Sequence, residues 1–227
     1  MQEIKRSLVK ASKIYSDQTI IRAGINLIPF IGGALDVLLS SSGQNFVIRR
    51  LESFISELNN QISQLDENKI NKDFLRTEEG FDLLIKSFES ASKTRQIEKL
   101  KLYAKIIKGS LLSGKEYQED DPELYLKIVE ELSVKELRVA KFLYESKNQS
   151  VIDRNFARPQ NGFKNDSLWL SNKYPEFNKD ELVTIFVRLE RTGLIKELVG
   201  GYSDYTGGHY QINPLFIKFI DFIEGID

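Results

Sequence analysis

Two sets of mainly cationic side chains are the ones in this 227-residue chain whose types and spacing could bind an anion. Lys101, Lys105 and Lys108 recur at i, i+4 and i+7, a spacing that puts three side chains on one helix face. Arg95 precedes them, with Lys93, Lys99 and Lys115 nearby, and these seven cations meet one acid, Glu98. Such a stripe either solvates a helix or binds an anionic surface on a partner or a membrane. A second set, Thr184, Arg188 and Arg191, falls on the solvent side of a helix expected at 178–192, together with Lys179. Those residue types suit phosphate and base contacts in a DNA groove. Asp180, Glu181 and Glu190 oppose them, and the turn 199–208 carries Asp204 with no Lys or Arg.

Catalytic chemistry has little to draw on. There is no cysteine, which removes disulfides, thiolate metal sites and cysteine nucleophiles. The single histidine, His209, opens an expected strand and would be the sole base for a Ser-His-Asp arrangement. No phosphate loop, dinucleotide glycine pattern or zinc spacing occurs, and the Gly200-Gly201 and Gly207-Gly208 pairs read as turns. Glu119, Asp120 and Asp121 are hard-cation ligand types that more often solvate a turn. The expectation is a chain without catalytic, cofactor-binding or metal-binding residues, which takes no small-molecule substrate and acts through surfaces.

The elements that must position these residues are mainly helical. Formal net charge is -1, from 32 basic and 33 acidic residues, so any anion-binding surface is a local patch. Residues 2–18 form a basic amphipathic pattern. The stretch 20–39 is the most apolar in the chain, but Asp36 interrupts it and Pro29 and Gly32-Gly33 break it. It falls short of the roughly 20 uninterrupted apolar residues of a bilayer-spanning helix. A bent, buried core helix is expected, with a membrane or partner contact as the other reading. A long helix is expected over 44–67, with Val47, Leu51, Phe54, Leu58, Ile62 and Leu65 as one stripe. Thr77 opens the next, with Phe81, Leu84, Ile85 and Phe88 inward. Thr94 is expected to cap a third, burying Ile97, Leu100, Tyr103, Ala104, Ile107 and Leu111. Pro122 suits the start of a short helix that ends at a domain boundary near Ser133.

Beyond Ser133 the pattern changes. Ser133 and Glu136 form a capping box ahead of an apolar helix. The polar stretch 147–166 reads as a loop with a short strand at Val151-Ile152, and Trp169 follows. Asn178 caps a helix with Leu182, Ile185, Phe186 and Leu189 inward, and Gly193 ends it. Strands at 195–199 and 209–212 and a Pro214-led helix complete the order of a winged helix. The fold class expected is therefore mainly α, with a helical bundle over 1–132 and a small α+β winged-helix-like domain over 133–227.

The strings AGINLIPFIGGALD (23–36) and FESASKTRQIEKLKLYAKII (88–107) resemble bacterial Abi-alpha-like proteins, a group tied to phage exclusion. The resemblance spans about 100 residues and carries no catalytic residues over; the winged-helix-like tail is not a feature it brings. It implies a defence setting. The function expected is a non-enzymatic bacterial interaction protein, cytoplasmic or peripheral to the inner membrane. Its helical domain would engage a protein partner, a second copy or an anionic membrane face through Arg95, Lys101, Lys105 and Lys108. The alternative is a transcription regulator contacting DNA through Thr184, Arg188 and Arg191.

Overall fold

The computed structural model describes residues 45–63, 65–66, 70–71, 73–74, 77–112, 121–147, 163–164, 176–197 and 209–224. The expected helix at 2–18, the apolar stretch 20–39, Val151-Ile152, Trp169 and the turn 199–208 lie outside them. Among the described residues the protein is mainly helical, with seven helices and one small antiparallel sheet. The chain falls into two compact units, Met1–Lys127 with Ile223–Gly225, and Ile128–Phe222 with Ile226–Asp227. The division comes between Lys127 and Ile128.

The first unit is built on α1 (Asn45–Ile62), α2 (Glu78–Lys93) and α3 (Ile97–Ser110). Leu51, Phe54, Leu58 and Ile62 recur at three- and four-residue steps, and all are buried. That stripe packs α1 against both α2 and α3. At its centre the Phe54 and Phe88 rings meet edge to face, 5.1 Å apart. Thr77 caps α2, its hydroxyl accepting from Gly80 N at 3.1 Å, with Glu78 and Glu79 in the first turn. The buried arc of α2 runs through Gly80, Leu83, Leu84, Ser87, Phe88 and Ala91. Phe81, expected inward, sits at the edge of that arc and is exposed, while Leu83 occupies the core.

The start of α3 also departs from expectation. Thr94 is the C-cap of α2, its N–H donating to the Ser90 carbonyl at 3.2 Å, and Gln96 precedes α3. The Thr94 hydroxyl still accepts from Gln96 N at 3.2 Å, so it tightens the corner between helices. Leu100, Tyr103, Ala104, Ile107 and Leu111 are buried as the period demands, but Ile97 is exposed at the helix tip.

A further helix, α4 (Asp121–Glu131), begins with Pro122 in its first turn, where a missing N–H leaves no bond unmade. It spans the division between the units. On its first-unit side, Lys86 of α2 pairs with Glu123 at 2.7 Å.

The second unit holds α5 (Val134–Lys147), β1 (Phe163–Lys164), α6 (Lys179–Arg191), β2 (Ile195–Glu197), β3 (His209–Ile212) and α7 (Pro214–Glu224) up to Phe222. The capping box at the head of α5 is present: Ser133 N donates to Glu136 Oε2 at 2.6 Å and Glu136 N donates to Ser133 Oγ at 3.3 Å. Asn178 caps α6 by accepting from Asp180 N at 3.0 Å. Leu182, Ile185, Phe186 and Leu189 are buried, as their period predicts. Gly193 ends the helix with φ +77°, a left-handed conformation that favours glycine.

The sheet order is β1-β3-β2, antiparallel throughout, with Tyr210 opposite both Phe163 and Glu197. Strand β1 lies in the stretch expected to be loop. Two residues are too few for an alternating pattern, so only the β3 partner reveals it. Tyr210 stacks tilted against Phe186 at 4.9 Å, which joins sheet to helix. Asn213 closes the corner: its side-chain amide donates to the Gly193 carbonyl at 2.8 Å and its N–H to the Leu194 carbonyl at 3.0 Å. Phe216, Phe219, Ile220 and Phe222 of α7 are buried, and Tyr144 of α5 meets the Phe216 ring at 5.6 Å.

Candidate interaction surfaces

The basic stripe lies on α3. Lys101 is exposed and Lys105 and Lys108 half-exposed, along the flank of the side that buries Tyr103, Ala104 and Ile107. The buried stripe thus orients the lysines: once one face is committed to the core, residues four and seven apart beside it align along its flank. Arg95 is exposed in the short connection before α3. Lys99, counted in the same patch by sequence, is buried at 8% exposure and does not belong to the surface. Lys115, Glu119 and Asp120 lie outside the described residues.

The residues proposed to meet DNA have partners in their own chain. The Arg188 guanidinium pairs with the buried Glu136 carboxylate and donates through Nη2 to the Glu131 carbonyl at 3.0 Å. Arg191 pairs with the Glu131 carboxylate. Thr184 is exposed, its hydroxyl donating to the Asp180 carbonyl at 3.3 Å. Lys135 and Glu181 form a further pair between α5 and α6. Glu190 accepts from Glu197 N at 2.9 Å and ties α6 to β2. A phosphate approaching Arg188 or Arg191 would meet Glu131 and Glu136 as well, and would have to displace them.

What α6 shows to solvent is partly apolar. Val183 and Val187, one turn apart, are 43% and 55% exposed, flanked by Asp180, Thr184 and Arg191. Neither valine carries a charge that would mark it as a site residue. Helical phase is the signal that finds them, since Leu182, Ile185, Phe186 and Leu189 already fill the buried side. In the first unit Phe46 and Ile97 are exposed in the same sense.

Among the described residues, Lys86 is the group whose titration is shifted. Lys86 is raised above its ordinary value by its hydrogen bond to Glu123, by the charge of that carboxylate, and by Asp82 and Glu89. It is a surface ion pair. His209 stands opposite Lys164 in the β1-β3 register. Among the described residues no three His, Asp or Glu gather as a metal site would require, and no helix is long and apolar enough to cross a membrane. No family model, curated protein or solved structure matches the chain.

Proposed function

We propose that this chain is a non-enzymatic bacterial interaction protein, of the kind deployed in phage defence, whose helical unit engages a partner through a cationic face. The observation that carries this reading is α3. One of its faces buries Leu100, Tyr103, Ile106 and Ile107, and along its flank Lys101 is exposed and Lys105 and Lys108 are half-exposed, behind exposed Arg95. The defence setting rests on the resemblance of 23–36 and 88–107 to Abi-alpha-like proteins.

The second unit is proposed to be a winged helix used for protein contact. Its β1-β3-β2 order, with α6 entering β2 through a left-handed Gly193, supports that fold. The pairing of Arg188 and Arg191 with Glu136 and Glu131, beside exposed Val183 and Val187, favours a protein contact over DNA. A winged-helix DNA regulator is the second reading, favoured by that same strand order. A gel shift across salt concentrations decides it, and no shift at low salt removes it.

Phage challenge tests the leading reading. Cells expressing the chain should yield fewer plaques than cells without it. Lys101→Glu with Lys105→Glu and Lys108→Glu should restore plaquing while circular dichroism stays unchanged. Equal plaquing with and without the chain, or full protection by the triple variant, would refute it.

A further inference from the structure

Two large apolar side chains stand exposed at one end of the helical unit. Phe46, 65% exposed, is in the first turn of α1, and Ile97, 63% exposed, is the first residue of α3. Their common location follows from the pairing of α1 with α2. Arg50 Nη1 donates to the Ser92 carbonyl at 2.9 Å, and the Phe54 ring meets Phe88. Four residues forward on α1 match four residues back on α2, so the helices are antiparallel. Phe46 lies one turn, about 6 Å, beyond Arg50. That is level with the 94–96 connection leading into Ile97.

Exposed cations lie close in sequence to both side chains. Arg49, Lys93, Arg95 and Lys101 are all exposed, each within about one turn of Phe46 or Ile97 in sequence, and Glu98 is the acid in that part of α3. An exposed aromatic and a branched aliphatic with exposed cations within a turn of each in sequence match the headgroup–acyl boundary of an anionic bilayer. There the apolar tips leave water while guanidinium and ammonium groups meet lipid phosphates.

We propose that this end docks on an anionic lipid surface, with Phe46 and Ile97 inserted and Arg49, Lys93, Arg95 and Lys101 on the headgroups. The proposal rests on the reading that the helical unit acts through its surfaces, and it names the partner.

The full chain is sedimented with phosphatidylcholine vesicles, with and without phosphatidylglycerol. Binding is expected on the anionic vesicles alone and weakens as salt rises. Phe46→Ser with Ile97→Ser lowers the partition coefficient about tenfold or more. Arg49→Gln and Arg95→Gln each lower it about fivefold. All four positions are exposed, so the fold survives, which circular dichroism checks. The chain has no cysteine, so a polarity-sensitive dye on Phe46→Cys reports insertion, and one on Asn60→Cys reports the far end of α1. The first blue-shifts on anionic vesicles and the second does not. Absence of binding at low salt overturns the proposal, as does undiminished binding of the serine variant or an equal shift at both dyes. Plaque protection by a chain that ignores vesicles overturns the lipid assignment alone and leaves a protein partner as the reading.

Discussion

Replacing Glu136 by alanine removes two interactions at once, and their sum can be worked out. Glu136 is buried, accepts from Ser133 N at 2.6 Å and pairs with Arg188 of α6. Loss of the capping-box acceptor costs about 1 kcal/mol. Loss of a charge-assisted contact costs about 1.5–3 kcal/mol, and the lower end applies because the Arg188 side chain is 38% exposed and screened by water. The expected total is about 2–3 kcal/mol. Glu136→Gln keeps an acceptor for Ser133 N and loses only the charge, so it should cost about 1 kcal/mol. Combining Glu136→Ala with Arg188→Met should destabilise less than the sum of the two, because the arginine no longer lacks its partner. Urea unfolding followed by circular dichroism measures all four chains. If Glu136→Ala unfolds within about 0.5 kcal/mol of wild type, the α5–α6 linkage does not hold the second unit together. If glutamine is as damaging as alanine, the cap is not the reason.

Three further outcomes follow from other sites. The Ser87 hydroxyl is fully buried on α2 and finds no hydrogen-bond partner among the described residues, so Ser87→Ala should stabilise by up to about 1 kcal/mol in the same urea assay. Gly193→Ala should destabilise by about 1–2 kcal/mol, since its φ of +77° disfavours a side chain and a Cβ there would meet Leu215 Cδ2 at 3.3 Å. The Lys86–Glu123 pair holds the lysine above its usual 10.5, so its contribution is fully present below that value. It is lost as pH rises through the folded value. Wild type should therefore lose more thermal stability than Lys86→Met between neutral pH and about pH 11, and equal losses would deny the pair any role.

Much of the architecture could be read from residue types because it rests on local chemistry. Thr77, Ser133 and Asn178 each place a hydroxyl or amide oxygen where the first free N–H groups of a helix need an acceptor, and each caps one. The stripes of α1 and α6 obey a 3.6-residue period against a single core, so Leu51, Phe54, Leu182 and Phe186 were identifiable as buried. At Phe81 and Ile97 the period was right and the burial was not. Position along the helix, and the reach of the neighbouring element, decide burial at a stripe's edge.

The candidate surfaces divide in the same way. Net charge, lack of cysteine and the i, i+4, i+7 lysines are properties of the chain alone, and they make any anion-binding face a local patch. Whether a given cation faces solvent depends on residues far away in sequence. Arg188 reaches Glu136 and Glu131 across more than fifty positions, Lys99 is buried, and Phe46 comes level with Ile97 only through the antiparallel packing of α1 on α2. Local hydrogen bonds and helical period act within a turn or two, so sequence determines them. Ion pairs and exposure are set by which distant segments share space, and only the tertiary structure decides that.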